Sequence, residues 1–277
     1  MITAAFSYRR AGSVDEALEL LGQYGDDAKL LAGGHSLLPL MKLRLAAPEV
    51  LIDLGHVPDL SYVRLSGDTV RIGALTRYRD LHEDPVLREH APLLAHAAGV
   101  IGDPQVRHRG TIGGSLVHAD PAADLPAAVL ASDGVLVVRG PNGSREIPVG
   151  DFFLGPFTTP VEPDEMLVEI RVPARAGIGW GFEKFTRRAI DWAIVGVAVV
   201  GGQVGLINMG GTPLRATAVE AALAGGASPE TAAELAAEDT TPMDEAHAPA
   251  AYRQHLARVL TGRALAAAAG QTPVGLR

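Results

Sequence analysis

Short apolar runs and stretches of helical period alternate along most of this chain, and glycine or proline marks many of the changes. Ser13 ahead of Val14-Asp15-Glu16-Ala17-Leu18 reads as an N-cap with Glu16 at the third helical position, a capping box. The pattern predicts a helix to about Tyr24, stopped by Gly25. Ala28 to Ala32 reads as a strand running into a Gly33-Gly34 turn, Ser36 opens a short helix, and Val50 to Leu54 is a second buried strand. Residues 1–57 therefore form a compact α/β unit. Thr69 to Ala74 alternates as a strand. Thr76 to Glu83 and Pro85 to Ala98 read as helices, and Asp124 to Ser132 as another. Val135 to Arg139 and Arg145 to Val149 flank Gly140-Pro141-Asn142-Gly143, a hairpin signal. Met166 to Val172 is a further strand, ended by Pro173.

The small-residue stretch Ala174 to Gly179 predicts a domain boundary. Beyond it, Gly181 to Arg187, Ala193 to Val200 and Gln203 to Met209 suggest a small antiparallel meander. Thr217 to Ala224 and Ala248 to Ala269 read as helices packed on it, and Gly270 to Arg277 as a frayed tail. No internal repeat is visible.

Composition narrows the classes. The 277 residues suffice for two domains. With 47% hydrophobic and 20% charged residues the chain reads as globular and soluble. A net charge of -8 argues against nucleic acid as main partner. The absence of cysteine excludes disulfides, thiolate catalysis and cysteine-held zinc or iron–sulfur clusters within the chain. The apolar runs are too short for a transmembrane helix, and the first residues lack a signal-peptide pattern, so a cytoplasmic location is expected. The nine histidines show no metal-binding spacing, and no metal site is expected.

Chemistry concentrates in two glycine pairs. One is Ala32-Gly33-Gly34-His35-Ser36; the other is Thr111-Ile112-Gly113-Gly114-Ser115, followed by Asp120 and Asp124. Glycine lets backbone approach a ligand, and successive N–H groups in such turns form anion nests. Two nests suit a ligand with two phosphates, such as a dinucleotide. The first segment is neither a P-loop nor a G-x-G-x-x-G fingerprint. Asp120 and Asp124 read either as caps of the next helix or as carboxylates for a sugar-like hydroxyl. His35 sits inside a motif through its backbone. His108, His118, Arg107 and Arg109 flank the second segment, with a surface role as the simpler reading. Asp53 and Asp151 read as capping or turn residues.

The combination resembles the FAD-binding medium subunit of molybdenum hydroxylases, the carbon monoxide dehydrogenase flavoprotein family. The resemblance covers nearly the whole chain. It rests on Phe6-Ser7-Tyr8, on 32–42 and 101–126, on Glu165-Met166-Leu167, on Phe182-Glu183-Lys184-Phe185, and on 188–193. It implies that Ala32 to Ser36 and Thr111 to Ser115 hold the FAD phosphates and that Asp124 binds the hydroxyl-bearing portion of the flavin. Ile101 would lie beside the flavin, Leu167 near the adenine, and Lys184 in a stretch making polar contacts near the ring. Trp192 stands where relatives often carry Tyr or Phe, placed to shield one flavin face. Core packing remains the alternative for Ile101, Leu167 and Trp192.

The fold implied is α+β. A two-lobed FAD-binding domain of vanillyl-alcohol-oxidase/PCMH type spans 1–176, with lobes 1–57 and 58–176. A C-terminal domain with a three-stranded antiparallel sheet and helices spans 177–277. FAD would be noncovalent and lie between the lobes, under the C-terminal domain. The implied activity is electron transfer from a small [2Fe-2S] subunit to an external acceptor, the substrate being oxidised at the molybdenum cofactor of a large subunit. The implied assembly is a dimer of heterotrimers, and no catalytic side chain is expected here. A self-sufficient flavin oxidase and a non-catalytic binding protein are the alternatives.

Overall fold

The computed structural model describes residues 2–270; the predicted tail at 271–277 lies outside them. The first lobe runs β1 (Ser7–Arg10), α1 (Val14–Tyr24), β2 (Ala28–Leu31), α2 (Leu37–Lys42) and β3 (Val50–Asp53). Its strands form a parallel sheet in the order β1-β3-β2, with Val50 opposite both Ser7 and Ala28. Ser13 Oγ accepts from the Glu16 N–H at 3.1 Å, and Glu16 reaches back to the Gly12 N–H at 2.6 Å. The capping box is thus displaced by one residue. Gly25, at φ 54°, closes the helix.

The second lobe begins with β4 (Val63–Ser66), β5 (Thr69–Gly73), α3 (Tyr78–Glu83), α4 (Pro85–His90), α5 (Pro92–Gly99) and α6 (Pro104–Arg107). It continues with α7 (Ile112–His118), α8 (Asp124–Ala131), β6 (Val135–Gly140), β7 (Gly143–Pro148) and β8 (Met166–Pro173). The antiparallel sheet has the order β4-β5-β8-β6-β7. The single helix expected over 85–98 is two. Pro92 has no N–H to continue a ladder, and Ala91 before it takes the extended φ of -146°. The second glycine pair is not a turn but the first turn of α7, with Thr111 as N-cap.

The remainder comprises β9 (Trp180–Phe185), β10 (Val195–Val200), β11 (Gln203–Ile207), the two-residue β12 (Leu214–Arg215), α9 (Thr217–Ala224), α10 (Pro229–Ala233) and α11 (Ala250–Ala268). The expected three-stranded meander is present, in the order β11-β10-β9, and β12 extends it to four. Every residue of β10 is buried, and the strand's period of two divides it between two cores. Val195, Val197 and Val199 pack with Leu256, Leu260 and Ala264 of α11. Ala198 and Val200 join the second-lobe core, with Leu94 of α5 and Val129 of α8. The third sheet is thereby seated on the second lobe, with β9 beside α5.

Candidate functional site

A cleft of about 310 Å³ runs between the first two lobes, and a second of about 240 Å³ continues it toward β9. His35, Ser36, Tyr78 and Ser115 line both, so the two form one elongated groove. Ala32, Gly33, Gly34, Thr111, Gly113, Gly114 and Leu167 border the first part. Ile101, Asp124, Lys184 and Trp192 border the second. Fourteen of the sixteen candidate residues from the sequence thus border this groove.

Ile112 and Asp120 do not. The Ile112 side chain is fully buried in the second-lobe core, where helical geometry aims it. Asp120 accepts from the Ala122 N–H at 2.9 Å, a turn that leads into α8. The capping alternative for Asp124 is excluded: it is the first residue of α8, which has no side-chain cap.

The two glycine segments have different electrostatics. In the first, Gly34 takes φ 77°, a left-handed conformation that favours glycine. Among the described residues, the N–H groups of Gly34, His35, Ser36 and Leu37 have no partner within the protein. Nor does the Ser36 hydroxyl cap α2. Four consecutive free donors are an anion nest. In the second, Ile112 N–H donates to the Thr76 carbonyl, Gly113 N–H to the Ala74 carbonyl, and Gly114 N–H to Thr111 Oγ1. These donors fix α7 in place; its groove-facing polar contribution comes from side chains such as Ser115. In sequence the two segments carry the same expected role, because a glycine pair looks alike whether it frees N–H groups or lets backbones pack. Gly113 does the second: a Cβ there would lie 2.6 Å from the Ala74 carbonyl oxygen.

Asp124 and Lys184 form a buried ion pair at 2.7 Å, from α8 and β9 respectively. Burial pushes the Asp124 carboxyl up to about 6 from 3.8, while Lys184 pulls it back. Its Oδ1 is buried and has no hydrogen-bond partner in the protein. A buried oxygen left so costs about 1–3 kcal/mol; a ligand hydroxyl donating to it removes that penalty.

The apolar candidates have double roles. Ile101 and Leu167 both belong to the second-lobe core and border the groove. Arg107 donates to the Ile101 and Gly102 carbonyls at 3.0 and 3.1 Å, which fixes that turn. Trp192 is 58% exposed at the groove's edge. His118 is half-buried on α7 rather than on a loop, with its ring 5.1 Å from that of Phe157, and burial lowers its pKa. Tyr78, absent from the sequence expectations, lies at the join of the two clefts. Burial raises its phenol to about 12. No motif surrounds Tyr78; only the fold brings it against Gly110.

The free phosphate-sized nest at one end, the unpartnered carboxylate oxygen toward the other and the apolar walls between them fit FAD. Comparison with known proteins agrees. The FAD binding domain in molybdopterin dehydrogenase matches residues 4–175, and the CO dehydrogenase flavoprotein C-terminal domain matches 180–268. The carbon monoxide dehydrogenase medium chain of Hydrogenophaga pseudoflava is 46% identical over 97% of this chain and 98% of its own. The nicotine 6-hydroxylase medium subunit of Paenarthrobacter nicotinovorans is 36% identical over 97% and 99%. The solved carbon monoxide dehydrogenase from Hydrogenophaga pseudoflava, in a form lacking the Mo-pyranopterin moiety, contains a chain that superposes with a TM-score of 0.94. That match has 47% identity and covers 99% of this chain and all of the other.

Proposed function

The chain belongs to the carbon monoxide dehydrogenase flavoprotein family, the FAD-binding medium subunits of molybdenum hydroxylases, and from that premise we propose how its groove is used. It binds FAD noncovalently as the electron-transfer subunit of such a complex, receiving electrons from a [2Fe-2S] subunit and delivering them to an external acceptor. The observation that carries this is the row of free N–H groups from Gly34 to Leu37, continuous through one groove with the unpartnered Oδ1 of Asp124.

In this reading the Gly34–Leu37 donors and the Ser36 and Ser115 hydroxyls hold the pyrophosphate. Asp124 accepts from a hydroxyl of the ligand. Leu167 forms an apolar wall at the nest end of the groove and Ile101 one at the β9 end. Trp192 stands at the open edge, where it limits solvent access. The flavin supplies chemistry that couples single-electron and paired-electron exchange; the protein supplies position and electrostatics. No side chain here is required as a general acid or base.

The FAD-binding unit spans 1–176, in lobes 1–57 and 58–176, and the C-terminal unit 177–277. The partners are a large molybdenum-cofactor subunit and a small [2Fe-2S] subunit, in a dimer of heterotrimers in the cytoplasm. None of the described helices is long and apolar enough to cross a membrane. The test is anaerobic reduction of the FAD-loaded chain. Flavin absorbance should bleach when the reduced [2Fe-2S] subunit is added and stay unchanged with organic substrates alone. Bleaching by a substrate with no partner present would instead make the chain a self-sufficient oxidase.

A further inference from the structure

Lys184 and Asp124 belong to different parts of the chain. Asp124 opens α8 in the second lobe, and Lys184 projects from β9 of the third sheet. Their side chains are 4% and 10% exposed, and the ammonium lies 2.7 Å from Oδ2 alone. Oδ1 is left without a partner beside a cavity bounded by Ile101, Ser115 and Trp192. The resemblance places Lys184 in a stretch making polar contacts near the flavin ring; within the protein its ammonium is paired with Asp124.

We propose that Lys184 is a positioning residue acting through Asp124: it keeps the buried carboxyl anionic and leaves Oδ1 as an acceptor for a ligand hydroxyl. The inference rests on the reading of the groove as an FAD site and adds a regulatory consequence. A carboxyl buried without a counter-charge takes up a proton. A protonated Asp124 loses its attraction for Lys184 and is a poorer acceptor. FAD affinity is therefore linked to one proton, and the ion pair that ties β9 to α8 is linked to FAD. The other titratable groups facing Asp124 are Tyr78 from α3 and, across the cavity, His35 and Asp191; Asp191 is paired with Arg188. His96 of α5 borders the neighbouring pocket on the other side of Lys184. Burial raises the Tyr78 phenol and lowers the His96 imidazole, so neither supplies charge near pH 7.

The experiment has two arms on the full chain. Carboxyl resonances of ¹³C-aspartate-labelled protein, assigned with D124N, report the Asp124 titration without FAD. FAD titrations across pH report affinity. For the wild type, affinity falls about tenfold per pH unit below the Asp124 midpoint. In K184M the midpoint of both curves moves upward by at least about one unit. K184R keeps the wild-type curves, and D124N binds FAD with no such dependence. Should K184M not fold, Lys184→Gln is read the same way. A wild-type midpoint in K184M, or an FAD profile in D124N like that of the wild type, overturns the proposal. Absence of FAD binding at every pH would overturn the FAD reading alone, and the carboxyl titration would still decide the role of Lys184.

Discussion

Gly33 lies so close to Arg109 that a Cβ on it would sit 2.2 Å from the Arg109 carbonyl oxygen and 2.9 Å from Gly110 Cα. The two glycine segments of the sequence therefore meet as backbones: the first loop is laid directly on the chain that leads into α7. Gly33→Ala forces the two apart. It is expected to destabilise the protein by about 1–3 kcal/mol, the range for overpacking a close contact. FAD should also be lost, because the Gly34–Leu37 donors move with the loop. Urea unfolding and an FAD titration of the variant check both; a native midpoint with native affinity would show that the lobes are not held by this contact.

Gly114 differs. A Cβ there meets Thr111 Oγ1 at 2.8 Å, with Ala32 Cβ next at 3.9 Å. Gly114→Val should displace the Thr111 cap, at a cost of about 1 kcal/mol. It should also fill the groove where the two loops face each other. The expected variant is soluble, folded by circular dichroism, and empty of FAD after gel filtration. Stoichiometric FAD in it would refute the placement of the pyrophosphate here.

Burial gives Asp124 a folded-state pKa of about 6 against an ordinary 3.8, so the native protein holds this proton more tightly than the unfolded chain. Without FAD, Asp124 therefore makes stability fall as pH rises through 3.8 to 6, by at most about 1.4 kcal/mol per unit, with no further loss above. Asp124→Asn should remove this component. Urea unfolding of both proteins from pH 4.5 to 7.5 tests it; the gap should widen in favour of the variant up to pH 6 and then stay constant. Parallel profiles would contradict the assignment.

Arg253 is 1% exposed in α11, an unusual place for a guanidinium. It donates to the Ala248 carbonyl at 3.1 Å and the Ile194 carbonyl at 2.7 Å, and pairs with Glu245 at 2.7 Å. Ile194 closes the loop that carries Asp191 and Trp192 to the groove. Arg253→Met leaves both carbonyls without this donor and should cost about 3 kcal/mol in urea unfolding. A loss below about 0.5 kcal/mol would mean water replaces the guanidinium freely.

Much of this was legible in the sequence because local chemistry and packing agreed there. Ser13, Gly25, the Gly140–Gly143 hairpin and the β9–β11 meander each carry a signal that tertiary contacts then reinforced. β1 escaped notice because Ser7–Arg10 is exposed and polar, an edge strand with no apolar alternation to display. Both glycine segments border the groove, but their division of labour is hidden in the sequence. Whether an N–H of the second segment is free depends on Thr76 and Ala74, which precede Ile112 and Gly113 by 36 and 39 residues. Tyr78 and the Asp124–Lys184 pair were invisible as an arrangement for the same reason: sixty positions separate the paired residues, and only the seating of the third sheet joins them.

The most direct test of the central claim is the absorbance spectrum of the chain purified with co-expressed large and small subunits, with flavin quantified after gel filtration. One noncovalently bound FAD per chain is expected, released intact on denaturation and lost in Gly114→Val. A complex that assembles with these subunits yet carries no flavin, even after incubation with FAD, would contradict it.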